Sequence, residues 1–208
     1  MRCKRLAVVP VAPDSPAWAA SEQAKLEMMA TPLVMQPTPY IQASWADRPY
    51  GRITPIDVAA LHDGMTLAVR IGWTLVDGTN PDFPDAVAFA IPVRGEPPLM
   101  TMGTPDEPFH ILLWRAARDG KEQLRSVIAE GIGSSAPGPE LKRGVQVRRD
   151  GKRIEVVMTR EIGRVAGGAA ILPGRSIKIG FAVWEGGNEE RAGIKAFSMD
   201  WADLALDA

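Results

Sequence analysis

Residues 63–76 read DGMTLAVRIGWTLV, and the fold class turns on them. After Asp63-Gly64, a strong turn signal, Leu67, Val69, Ile71, Trp73 and Leu75 fall on one side of the chain, and Thr66, Arg70 and Thr74 fall on the other. A period of two means a strand with one face buried. The same texture extends outward. Ala86 to Val93 is a nearly continuous apolar run bracketed by Pro84 and Pro92, as expected of a central strand. Gly144–Arg149 and Arg153–Thr159 predict a hairpin around Asp150-Gly151, with Ile154, Val156 and Met158 pointing one way. Ser176–Trp184 is a further strand, and Ala196–Trp201 is expected to be the last. Only two helices are predicted, over Ala19–Ala30 and Lys121–Glu130, where Leu124, Val127 and Ile128 have helical spacing. Many short strands separated by Gly, Pro and Asp turns predict a mainly β chain. The expected architecture is an antiparallel immunoglobulin-like β-sandwich over 40–208, with a few short helices. Residues 1–39 are expected to be a Pro-rich N-terminal arm that faces a partner, since Pro32, Pro37 and Pro39 oppose regular structure. Gly131–Pro139 reads as an inserted loop.

With 208 residues the chain can bury a good single core. Charge is balanced at −1, with 24 basic and 25 acidic residues and no run of one sign, which argues against a nucleic-acid partner. The lone Cys3 excludes an internal disulfide, a Cys-based zinc site, an iron–sulfur cluster and a c-type haem attachment. His62 is expected in an exposed turn, and His110 at the start of an apolar strand. Pro10, Pro13, Asp14 and Pro16 interrupt the apolar segment after Arg5, so no export signal is expected. No apolar run approaches the roughly 20 residues of a membrane-spanning helix, so a soluble protein is expected.

The common catalytic patterns are absent: there is no G-x-S-x-G elbow, P-loop, H-E-x-x-H pair or dinucleotide fingerprint. GRVAGG at 163–168 lacks a strand-to-helix context and reads as a loop. Asp77, Asp82 and Asp85 read as a solvated turn rather than a calcium or sugar loop. More unusual is 97–114, PPLMTMGTPDEPFHILLW, which sets Met100 and Met102 at the mouth of a Gly103-Thr104-Pro105 turn instead of inside a strand. Turns are where a chain offers ligands.

Several segments in fixed order carry a resemblance: Leu61-His62-Asp63-Gly64, Leu67 to Ile71, Trp73, Asp77, Met102-Gly103 leading to Trp114-Arg115-Ala116, Trp184, Gly193-Ile194-Lys195 and Trp201. Together they resemble the haem b-binding gamma subunits of the ethylbenzene dehydrogenase family, which includes those of dimethylsulfide dehydrogenase, chlorate reductase and selenate reductase. The resemblance spans roughly 40–204 and is gappy over 117–175. It implies a haem b at the edge of a β-sandwich, its iron held by a methionine and a lysine. Met102 and Lys195 match those positions. Met100 is then expected to line the pocket. Trp114, with Trp73, Phe89 and Trp184, belongs to the core or the haem wall. Arg191, Arg115 and Lys178 are candidates for pairing with haem propionates.

The resemblance further implies a non-catalytic electron-transfer subunit. Its partners would be a molybdopterin catalytic alpha subunit, an iron–sulfur beta subunit and an external carrier such as a cytochrome c. A periplasmic location by co-export is implied, with the cytoplasm as the alternative. Two other classes remain open: a carbohydrate- or ligand-binding β-sandwich without haem, and an isolated haem carrier.

Overall fold

The computed structural model describes residues 1–80, 82–117 and 123–208. The strands are β1 (Arg2–Arg5), β2 (Gln23–Leu26), β3 (Met29–Ala30), β4 (Ile56–His62), β5 (Thr66–Thr74), β6 (Ala86–Pro92) and β7 (Phe109–Arg115). They continue as β8 (Gln123–Gly131), β9 (Ser134–Pro137), β10 (Arg143–Asp150), β11 (Arg153–Glu161), β12 (Ser176–Trp184), β13 (Ala196–Phe197) and β14 (Ala202–Leu206). The order β10-β11-β5-β4 builds one layer, and β14-β12-β6-β7-β8-β9 builds the other. Strand β1 joins them: Arg2 and Cys3 pair parallel with β14, and Lys4 and Arg5 pair parallel with β4. All other strand pairs are antiparallel, so the expected β-sandwich is the fold.

Alternation decides which side chains enter the core. Leu67, Val69, Ile71 and Trp73 of β5, with Ile154, Val156 and Met158 of β11, meet Val87 and Phe89 of β6, Leu112 and Trp114 of β7, and Ile179 and Phe181 of β12. The Trp73 and Trp114 rings contact edge to face across the layers at 6.1 Å, a favoured geometry for aromatic quadrupoles.

Residues 1–39 do not stand apart as an arm. Val9 and Trp18 pack on the outer face of the first layer against Ala59, Leu61, Ala68 and Val157. Where a helix was expected over Ala19–Ala30, β2 pairs with β4 and β3 pairs with β13. The one α-helix among the described residues, α1 (Pro39–Trp45), falls where prolines suggested none. Pro39 sits at its first position, where a missing N–H costs nothing, and the Thr38 side chain caps it by accepting from Ile41 N. The helix expected over 121–130 is strand β8 from Gln123 onward; residues 121 and 122 lie outside the described residues. The expected loop 131–139 contains β9, paired with β8.

Candidate functional site

The outer face of the second layer carries a cavity of about 400 Å³. Its floor is set by small residues in register: Ala88 lies opposite Ala182 and Ala90 opposite Gly180. Ile111, Leu113, Val127, Phe197 and Trp184 line its walls. A flat, small-residue floor beneath apolar walls suits a broad planar ligand better than a chain-like one.

Met102 enters this cavity from a single 3-10 turn, Leu99–Thr101, for which it is the C-cap residue. Its backbone is left-handed, φ 59° and ψ 31°, uncommon for a residue with a long side chain. Two bonds hold it there: Met102 N donates to Leu99 O at 3.1 Å, and Gly131 N donates to Met102 O at 3.0 Å. Gly103 follows with φ +83°, where a Cβ would stand 2.8 Å from Ala129 O. The Met-Gly order therefore has a steric reason. Trp201, packed on Phe109 at 4.9 Å, donates from Nε1 to Pro97 O at 2.8 Å and fixes the approach to this turn.

Lys195 enters from the opposite side, one residue ahead of β13, which is paired on both edges with β12 and β3. It is 6% exposed. Its Nζ lies 3.7 Å from Met102 Sδ and 5.3 Å from the Trp184 ring centroid. Among the described residues no carboxylate pairs with it. Burial lowers its pKa from the usual 10.5 to about 8, because an apolar cavity disfavours the ammonium form. The two donors quoted from sequence, 93 positions apart, thus converge.

The other named residues separate. Met100 lines the cavity and is 38% exposed, at its edge. Trp184 is wall, with its Nε1 donating to Ala192 O at 3.0 Å. Trp114, Trp73 and Phe89 are core; Trp114 points between the layers because it alternates with Leu113, so it does not reach the cavity. Arg115 is exposed at the far end of β7 and does not line the cavity. Arg191 is exposed beside lining residues Ala192 and Gly193, its guanidinium over the Phe83 ring at 5.0 Å. Lys178 is engaged by Asp203 at 3.1 Å and Glu96 at 3.5 Å.

His62 is fully buried at the end of β4, not exposed, and its Nδ1 accepts from Gly64 N. His110 is fully buried within the sandwich. Asp85 is buried and accepts from Gly186 N and Arg149, while Asp77 pairs with Arg52. No cluster among the described residues could hold a bare metal ion with His, Cys, Asp or Glu. Sequence reasoning missed Thr31, Met35 and Gln36, which close one side of the cavity from the Pro-rich segment; isolated polar residues between prolines carry no periodic signal.

No protein-family model matches the chain. It is 38% identical over 147 residues to the chlorate reductase subunit gamma of Ideonella dechloratans, covering 66% of this chain and 59% of that one. In sequence the chain thus resembles a haem-binding gamma subunit over most of its length. A second relative, named "Putative respiratory nitrate reductase heme subunit ORF7", of Haloferax mediterranei, is 27% identical over 205 residues, covering 92% of this chain and 67% of that one. This chain thus spans 59% of the length of the chlorate reductase subunit. In structure it resembles a carbohydrate binding module family 9 from Caldicellulosiruptor kristjanssonii in complex with glucose, with TM-score 0.54, 9% identity, and coverage of 100% of this chain and 96% of that one. At that identity the likeness concerns the sandwich alone. No helix among the described residues of this gamma-subunit relative is long and apolar enough to cross a membrane.

Proposed function

We propose that this chain is a haem b-binding electron-transfer subunit, with the haem iron held between Met102 and Lys195 over the Ala88, Ala90, Gly180 and Ala182 floor. The observation that carries the reading is the 3.7 Å approach of Lys195 Nζ to Met102 Sδ inside an apolar cavity, without a carboxylate to explain the lysine. A bound haem supplies a one-electron couple. Lysine binds a metal only as the neutral amine. At pH 7 an exposed lysine pays about 5 kcal/mol for that form, whereas a group with pKa about 8 needs only about 1–2 kcal/mol. The Met102 thioether is a soft, neutral donor, which favours the ferrous state and raises the potential. With Met102 and Lys195 both on the iron, no position would be left for substrate, which supports an electron-transfer rather than a catalytic role. The largely apolar walls would keep water from a bound haem, and Met100 and Ser134 lie at the cavity's open edge.

Partners follow from the family: a molybdopterin catalytic alpha subunit, an iron–sulfur beta subunit and an external carrier such as a cytochrome c, with a periplasmic location. A sugar fits this cavity poorly, because few hydrogen-bonding side chains line it. The test is the dithionite-reduced spectrum of protein made with ample haem. A sharp low-spin b-type alpha band is expected, and Met102→Ala and Lys195→Ala each disturb it. No band in the wild type removes the haem reading; wild-type spectra in both variants remove the ligand assignment. Co-purification of a molybdenum-containing subunit from the native host tests the partners.

A further inference from the structure

We propose that Gln36, acting with Thr31, is a positioning residue that holds Lys195 opposite Met102 by gripping the Gly193 carbonyl. This rests on the reading of Met102 and Lys195 as haem ligands. Gln36 is 6% exposed in a segment otherwise made of proline and aliphatic residues. A buried carboxamide needs partners, and this one has a specific one: its Nε2 donates to Gly193 O at 3.0 Å. The Thr31 hydroxyl donates to the same oxygen, so both of its lone pairs are used. Thr31 N then donates to Lys195 O at 3.1 Å. The clamp is itself braced, since Tyr50 Oη donates to Thr31 O at 2.5 Å and Gln42 Nε2 donates to Gln36 O at 2.9 Å.

The loop that carries Lys195 needs this hold. Its first half is rigid: Glu190 accepts from Gly51 N at 2.7 Å and from Glu185 N at 3.0 Å. Beyond Glu190, the loop's own backbone contributes one bond, Ile194 N to Arg191 O at 2.9 Å. Trp184 Nε1 holds Ala192 O at 3.0 Å, and Thr31 and Gln36 supply the fixed points at Gly193 O and Lys195 O. Gly193 is glycine for the same reason, as a Cβ would run into the Gln36 carboxamide. A ligand on a long, rotamer-rich side chain is held in productive geometry only when its backbone anchor is fixed to about 0.5 Å. Gln36 and Thr31 also line the cavity, but the role proposed for them runs through their bonds to Gly193 O.

The experiment uses the full chain with Gln36→Leu, Thr31→Val and the double variant, each of which removes donors at little change in volume. In the haem-free chain, amide exchange at Thr31 and over 193–197 is expected to accelerate about five- to tenfold per lost bond. After haem loading, the double variant is expected to lose most of its low-spin signal, approaching Lys195→Ala, while its secondary-structure spectrum stays wild-type. Unchanged exchange, or a wild-type haem spectrum in a double variant that is merely less stable, overturns the proposal. Lys195→Ala separates the two levels. If it keeps the wild-type haem spectrum, the ligand reading fails and the positioning role falls with it. If it changes the spectrum while the double variant does not, only the positioning role is lost.

Discussion

Two buried basic regions lie on opposite faces of the second layer, and they are built by opposite rules. On the inner face, His110 and Arg160 meet with each of their nitrogens engaged. His110 Nδ1 accepts from Ala169 N at 3.2 Å and lies 3.3 Å from Arg160 Nη1, so its lone pair is on Nδ1 and its proton on Nε2, which donates to Ser126 Oγ at 3.0 Å. Arg160 donates further to Ala169 O at 2.9 Å and to Glu161 O at 3.2 Å. On the outer face, Lys195 has a thioether and an aromatic ring for company. A buried amine met only by a thioether and a ring is more weakly held than one met by carbonyls or carboxylates. The inner region is closed by its own hydrogen bonds; the outer region faces a cavity.

That contrast breaks first at Arg160. Burial lowers its pKa to about 10, which still leaves it charged at neutral pH. Arg160→Leu takes the guanidinium away from the Ala169 and Glu161 carbonyls and leaves His110 Nδ1 with Ala169 N as its donor, and is expected to cost about 3–5 kcal/mol. Chemical denaturation measures this as a lower midpoint at an unchanged slope. A loss below about 1 kcal/mol would mean the inner network is not the closed unit described.

Acid tests the same network through His110. Burial, and then the Arg160 charge, lower its pKa from 6.5 to about 4. Between those values the unfolded chain binds a proton that the folded chain refuses. The stability from neutral His110 is thus fully present above pH 6.5 and is lost as the pH falls towards 4, up to about 3 kcal/mol. Denaturation series at pH 7, 5.5 and 4.5 should show that slope in the wild type and a shallower one in His110→Gln.

Lys195 is expected to behave with the opposite sign. Lys195→Leu removes a buried amine whose contacts are the Met102 sulfur and the Trp184 ring, both weak, so the haem-free chain should gain about 1–3 kcal/mol while losing low-spin haem binding. A variant less stable than the wild type without haem would show that the sulfur and ring contacts outweigh the cost of burying the amine, and the comparison of the two faces would fail.

Why one region was legible and the other was not follows from the same geometry. The alternation of Thr66–Thr74, the Asp150-Gly151 hairpin and Ser176–Trp184 predicted β5, β10, β11 and β12, because each presents one apolar face to the core. Strand β8 was misread as helix because it is covered on both sides: Leu124 packs against the core while Val127 lines the cavity. Two-sided burial erases the period of two. Residues 19–30 misled for another reason, since Leu26, Met28 and Met29 crowd together where the chain changes partner from β4 to β13. Met102 and Lys195 were reachable only through family resemblance, as nothing local marks residues 93 positions apart as neighbours. Gln36 and Thr31 had no signal at all, because a clamp on a backbone carbonyl constrains geometry without imposing a pattern on the sequence.

The smallest expected effect gives the sharpest reading of the inner face. Ser126 sits on the inner side of β8, opposite Leu112 in register, and is mostly buried. Ser126→Ala leaves the His110 Nε2 proton without an acceptor, while Nδ1 stays engaged by Ala169 N. One unmet buried donor costs about 1–2 kcal/mol, far less than losing Arg160, since a single bond goes instead of several. The tautomer cannot answer by switching, because a proton on Nδ1 would face two donors. The acid slope should therefore survive in Ser126→Ala, displaced downward by a constant amount across pH 7 to 4.5. If the slope itself vanishes, His110 has escaped its site when the hydroxyl is removed. Ser126 would then be what keeps the ring in place, and the inner network would be looser than its hydrogen bonds imply.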